Sequence, residues 1–219
     1  MNRLPQLAGS VLLVLPALAL GTLAWAHFSD GVAVDAAIPV PVFMIQEIAM
    51  PKVAYEDAAI ALERADPRDG EAALERAEAA LHGGAAPAKE VPLLIHGLMQ
   101  EPAGARGWTL LAEAEEPQDK KSAARALSQA LVLAPRDYWL IGARAQDAAR
   151  LWPQLDRDAQ GLALEQTRML WEEPDLRDQL RRLLSTPKGV ALVAKAFAGR
   201  PDDLRTMNRW LALTAPASR

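Results

Sequence analysis

The segment GWTLLAEAEEPQDKKSAARALSQALVLAP, from Gly107 to Pro135, is the most informative part of the chain for the fold. Its apolar positions recur at the spacing of a helix face, first as Trp108, Leu111 and Ala112 and then as Ala123, Leu127 and Ala130. This periodicity predicts two amphipathic helices joined by the polar segment around Pro117. Small residues let the two helices approach closely, and the large ones fill the gap against a neighbouring helix pair. Such a pair cannot bury its apolar face alone, so its stability comes from stacking on similar pairs.

This pattern resembles the tetratricopeptide (TPR) repeat, which has Trp, Leu and a small residue on its first helix. Its second helix carries a small, a large and a small residue, and a proline closes it. The matching residues here are Trp108, Leu111, Ala112, Ala123, Leu127, Ala130 and Pro135. The interval from Trp108 to Ala123 is one residue short of the usual pattern, and the first-helix tyrosine position is not aromatic. Two degenerate neighbouring repeats are predicted, at 51–83 before this segment and at 138–171 after it. The resemblance implies an all-α solenoid of antiparallel helix pairs.

Prolines at helix starts and glycines after helix ends divide the rest of the chain into helical segments. We predict a TPR-like helical repeat domain over 51–213, followed by a tail at 214–219. The last three helices do not match the TPR spacing and are predicted to form a helical C-terminal cap. An earlier helix, about 88–100, is expected to turn four apolar residues inward, namely Leu94, Ile95, Leu98 and Met99.

Composition excludes several function classes. The chain has 219 residues, 51% of them hydrophobic, with only 5% aromatic residues and a net charge of −4. An acidic chain is a poor general nucleic-acid binder, because such binding displaces counterions with basic surface. The absence of cysteine excludes disulfides, thiolate catalysis and cysteine-based metal sites. No common catalytic or phosphate-loop motif occurs, so the sequence predicts a non-enzymatic protein without cofactor or metal.

The N-terminal region is predicted to be a membrane anchor. No charged residue occurs between Arg3 and Asp30, and the run LAGSVLLVLPALALGTLAWA over 7–26 is long enough to span ~30 Å of hydrocarbon as a helix. The predicted anchor, 7–28, includes Leu7, Val11, Leu12, Leu13, Val14, Leu15, Pro16, Leu18, Leu20, Leu23 and Trp25. The positive-inside rule places residues 1–6 in the cytoplasm and the body in the periplasm of a bacterium. Alternatively, cleavage near Ala26 releases a soluble periplasmic protein. Residues 29–50, with two closely spaced prolines, are predicted to form a tether.

Candidate partner-binding residues are aromatic and basic. Tyr138 and Trp139 open a helix and could reach the concave face of a repeat protein, while Trp152 precedes a proline and is expected to be exposed. Two arginine pairs at i,i+4 spacing could receive a carboxylate or phosphate of a partner or an anionic polymer, namely Arg177 with Arg181 and Arg205 with Arg209. The alternative is that these arginines are solvated or paired with nearby acidic residues.

The expected function is that of a scaffold. The chain resembles membrane-anchored TPR accessory proteins of bacterial envelope assembly, including exopolysaccharide export. This resemblance implies a periplasmic adaptor that binds protein partners and is held at the lipid bilayer by 7–28. The alternative is a structural subunit of an inner-membrane complex held by its transmembrane helix. A carbohydrate-acting enzyme is a further alternative, because acidic pairs such as Glu115-Glu116 could serve as paired carboxylates.

Overall fold

The computed structural model describes residues 51–63 and 69–214, and these contain ten α-helices and no β-strand. The prediction of an all-α fold is confirmed. The helices are α1 Lys52–Leu62, α2 Gly70–His82, α3 Pro87–Gln100, α4 Ala105–Glu115, α5 Lys120–Leu133, α6 Tyr138–Leu151, α7 Arg157–Glu172, α8 Arg177–Leu184, α9 Pro187–Ala196 and α10 Pro201–Thr214. Short 3-10 turns, Trp152–Gln154 and Pro174–Leu176, precede α7 and α8. The chain divides into two compact units at Ala85/Ala86.

The first unit contains the helix pair α1 and α2. Its buried core consists of Ala58, Leu62, Ala72 and Ala79. The small alanines allow close helix approach. Asp69 begins α2 because its carboxylate accepts a hydrogen bond from the backbone N–H of Ala72 at 3.0 Å. After α2, Gly84 adopts a left-handed backbone with φ of +87°, a conformation that glycine tolerates without strain.

The second unit is centred on the hairpin of α4 and α5. Helix α6 packs on both of these helices, and α7 packs on α5 and α6, so α4 and α5 each contact the next helix and the next but one. Five of the seven residues that carry the TPR-like pattern are buried, namely Leu111, Ala112, Ala123, Leu127 and Ala130. Trp108 is half-buried and its indole N–H donates to the carbonyl oxygen of Pro102 at 2.9 Å, whereas Pro135 is exposed.

Helices α8 and α9 close the second unit by packing on α6 and α7. The start of α9 passes very near the end of α8. A Cβ atom at Gly189 would lie 1.9 Å from the carbonyl oxygen of Leu183, so only glycine permits this approach. Helix α10 then follows, with Met207 as its buried residue.

The prediction that four apolar residues of α3 face inward is wrong for two of them. Leu94 and Leu98 are buried, but Ile95 and Met99 are exposed. Each of the two exposed residues directly follows a buried one in sequence, and it therefore points about 100° away from that residue around the helix axis. Because α3 packs mainly on α4 within its unit, one narrow stripe suffices to cover the contact.

Helices of the described ranges are all too short or too polar to cross a bilayer. The predicted cytoplasmic segment at 1–6, membrane anchor at 7–28 and tether at 29–50 lie outside the described residues. All of the predicted tail at 214–219 except Thr214 also lies outside them.

Candidate functional site

Four large apolar side chains are exposed around the turn between α5 and α6. Val132 and Leu133, at the end of α5, are 62% and 40% exposed, and Tyr138 and Trp139, at the start of α6, are 41% and 64% exposed. We call these four residues the apolar patch. Helix α6 begins where Asp137 accepts a hydrogen bond from the backbone N–H of Trp139 at 3.1 Å. This cap places both aromatic residues in the first turn of the helix.

The turn beneath the apolar patch is held from the inside by two buried polar side chains. Arg144 of α6 is fully buried, and its Nη1 donates to the carbonyl oxygen of Ala134 at 2.6 Å. Gln166 of α7, also buried, donates through Nε2 to the carbonyl oxygen of Pro135 at 3.0 Å. Burial lowers the pKa of Arg144 to about 10. The turn is therefore fixed to the two helices α6 and α7.

Sequence reasoning did not single out Arg144 or Gln166. A signal for Arg144 was nevertheless present, because it stands three residues after Ile141 and four before Ala148, on the apolar face of α6. A charged residue on such a face is unusual, and here its burial is compensated by the hydrogen bond to the backbone oxygen of Ala134. Hydrogen bonding to the carboxylate of Glu173 raises the pKa of the Tyr138 hydroxyl.

The arginines proposed from sequence are mostly engaged within the chain. The guanidinium of Arg177 lies 4.7 Å from the ring centroid of Trp171, and that of Arg181 lies 4.8 Å from that of Trp210. The two indoles meet edge to face with centroids 6.0 Å apart. These contacts join α8 and α10 to α7 by cation–π and aromatic packing.

The two arginines of the second pair, Arg205 and Arg209, differ in their contacts. Arg205 forms an ion pair with Asp202 one turn earlier on α10, whereas Arg209 is exposed. Arg181 also donates to Asp178 at 2.6 Å and to the hydroxyl of Thr214 at 3.0 Å. The structure thus gives Arg177, Arg181 and Arg205 intramolecular partners.

Trp152 is half-buried, and it lines an open cavity of about 240 Å³ between α6, α9 and the start of α5. Lys195 of α9 lies over its ring, with Nζ 5.6 Å from the centroid. Lys120, Arg150 and Lys188 also line this cavity. These four cationic residues come from α5, α6 and α9, which are far apart in sequence, so no local motif marked them.

A buried acidic group contacts Arg150, which lines this cavity. Arg150 donates to Glu116 at 2.6 Å and also pairs with Asp147, which is 3% exposed. Burial is the main cause that raises the pKa of Asp147, to about 8, and the nearby carboxylates of Glu113 and Glu116 raise it further. Arg150 opposes this shift without cancelling it.

A second cavity, of about 340 Å³, lies between α7 and the α5–α6 turn. Its charged lining has both signs, and Glu172 there forms an ion pair with Arg200 at 2.6 Å.

Within the described ranges, no group of three or more acidic or histidine side chains is placed to hold a metal ion. No family model, no curated protein and no solved structure shows significant similarity to this chain.

Proposed function

We propose that this protein is a membrane-anchored helical-repeat adaptor that binds a protein partner through the apolar patch. The observation that carries this proposal is the exposure of Tyr138 and Trp139 above a turn whose carbonyl oxygens are bonded by buried side chains. Neighbouring exposed aromatic and aliphatic side chains favour a contact surface, because burying them against a partner is strongly favourable.

The residue types of the apolar patch support protein recognition. Trp and Tyr are enriched among the residues that contribute most to protein–protein affinity. The rigid turn adds to this, since a surface ordered before binding loses little conformational entropy on association. Leu133 and Val132 extend the surface along α5.

A TPR-like solenoid is the scaffold that we propose for this surface. Support comes from the buried small and large residues of α4 and α5 and from the contacts that each of the helices α4 to α7 makes with the next two. We assign α8, α9 and α10 to a helical cap. The transmembrane anchor at 7–28, the periplasmic body and a role in envelope or exopolysaccharide assembly rest on the sequence and on its resemblance to accessory TPR proteins.

The test compares two exposed apolar residues. Trp139→Ala removes the largest side chain of the apolar patch, and Leu213→Ala, at a residue 79% exposed on α10, is the matched control. Full-length chain is purified in detergent from its own host, and co-purifying proteins are quantified. We expect Trp139→Ala to weaken partner binding about thirtyfold and so to deplete the partner from the purified sample, as for a residue contributing ~2 kcal/mol to binding. Equal recovery from wild type and both variants would contradict the proposal.

A deletion separates the adaptor from the alternative structural subunit. Removal of 1–28, with export directed by another signal, preserves partner binding if the repeat domain recognises the partner. It abolishes association if the predicted membrane helix is the binding element.

The thermal midpoint of Trp139→Ala should equal that of the wild type, because the side chain is mostly exposed.

A further inference from the structure

The cavity beside Trp152 has a cationic side and an apolar side, and we call it the cationic cleft. The cationic side chains are those of Lys120, Arg150, Lys188 and Lys195. The apolar side includes Trp152, Pro153 and Leu192. A cleft of this kind is suited to a ligand that is itself part anion and part apolar.

Three of the four cationic side chains in the cationic cleft have no carboxylate partner within the described ranges. Arg150 is neutralised by Glu116, with which it forms an ion pair at 2.6 Å. In contrast, no acidic side chain of the described ranges forms an ion pair with Lys120, Lys188 or Lys195. An anion bound in the cationic cleft therefore meets three cations that no carboxylate of the described ranges neutralises.

Two of these lysines occupy helix positions that favour the opposite charge. Lys120 is the first residue of α5, and Lys188 is the second residue of α9. The N-terminal turn of a helix carries partial positive charge and stabilises anions, so a lysine there brings no helix stability. Asp119 offsets this at α5, where its carboxylate accepts from the backbone N–H groups of Lys121 and Ser122.

Size and lining limit the organic part of the ligand. The volume of about 240 Å³ falls below the range of roughly 300–1,000 Å³ that holds drug-sized molecules. The apolar side offers the edge or face of one indole beside the Nζ of Lys195. These dimensions suit a single ring, or one ring-sized unit of a longer molecule.

We propose that the cationic cleft binds a phosphate monoester of a ring-sized organic group. A monoester carries a charge of about −1.5 to −2 at pH 7 and three acceptor oxygens, which match three unpaired lysines better than a carboxylate does. Lysine side chains bind phosphate as point charges and need no fixed bidentate geometry. This site is separate from the apolar patch, so the inference goes beyond the proposed adaptor function.

Calorimetric titration of the full-length chain in detergent tests the proposal, with glucose 6-phosphate as the probe. We expect binding that weakens about tenfold in Lys188→Ala and in Lys195→Ala, because each loses a charge-assisted contact. The matched control is Lys121→Ala, an exposed lysine beside Lys120 that does not line the cleft. Absence of binding, or equal binding by all four proteins, would overturn the proposal.

Three further probes test the two parts of the ligand. Glucuronate is expected to bind more weakly than glucose 6-phosphate, and inorganic phosphate is expected to bind more weakly and without dependence on Trp152. Equal affinity for either probe would overturn the assignment of a ring-bearing monoester. Dihexanoyl phosphatidic acid distinguishes the source. If it displaces glucose 6-phosphate in a Lys188-dependent manner, the monoester belongs to a lipid headgroup, and if it does not, the ligand is a free phosphorylated ring.

Discussion

Replacing Arg144 separates the contribution of its charge from that of its packing. The side chain is fully buried, donates to the carbonyl oxygen of Ala134 at 2.6 Å and approaches the hydroxyl of Thr109 at 3.4 Å. Its Nη2 is buried and makes no hydrogen bond within the described residues. The informative pair of variants is Arg144→Met, which retains the volume of the stem, and Arg144→Ala, which removes it.

The magnitudes follow from these contacts. Arg144→Met loses a charged hydrogen bond worth about 1.5–3 kcal/mol, but it also removes a buried cation with an unbonded nitrogen, so the two effects nearly cancel. Arg144→Ala additionally removes about three buried heavy-atom groups of the stem and leaves a cavity. Such truncations cost about 2–5 kcal/mol. We therefore expect a change within about 1 kcal/mol for Arg144→Met and a loss of about 3 kcal/mol for Arg144→Ala.

The assay is thermal unfolding of the full-length chain in detergent, followed by circular dichroism at 222 nm. For a unit of about 130 residues, 1 kcal/mol shifts the midpoint by about 4 °C. The midpoint should fall by about 12 °C in Arg144→Ala and change by less than about 4 °C in Arg144→Met. Equal loss in both variants would contradict this partition, because the hydrogen bond to Ala134 and not the packing would then dominate.

Two further predictions concern glycines and a buried carboxyl. Gly189→Ala should lower the thermal midpoint sharply, because its Cβ would lie 1.9 Å from the backbone oxygen of Leu183. Gly161→Ala should raise stability by up to about 1 kcal/mol, because no atom lies within 4 Å of the position of its Cβ. Similar effects of the two substitutions would contradict the close approach of α9 to α8. Burial raises the pKa of Asp147 to about 8, so the native state holds this proton more tightly than the unfolded state. The stability of wild type relative to Asp147→Asn should therefore fall by a few kcal/mol between about pH 4 and 8, as urea unfolding will measure, and a pH-independent difference would exclude this origin.

The helical character and the helix boundaries could be predicted from local sequence. Repeated alanine and leucine at helical spacing predict helices, and prolines and glycines mark their ends. The segment from Gly107 to Pro135 thus predicts α4 and α5 and five of their thirteen buried residues. These features depend on interactions within a few residues along the chain, which a single sequence displays directly.

Which charged residues pair and which remain unpaired depends on the packing of distant helices. Lys120 and Lys188 are 68 residues apart in sequence, yet both line the cationic cleft, because α5 and α9 lie beside the 3-10 turn that carries Trp152. In the same way, Arg177 and Arg181 are candidates for partner binding in the sequence, but the packing of α7, α8 and α10 places them over indole rings. An all-α chain segmented into helix pairs follows from the sequence alone, since backbone bonding and amphipathic spacing are local. The surfaces available for binding arise from contacts between helices far apart in the chain, and no local pattern encodes those contacts.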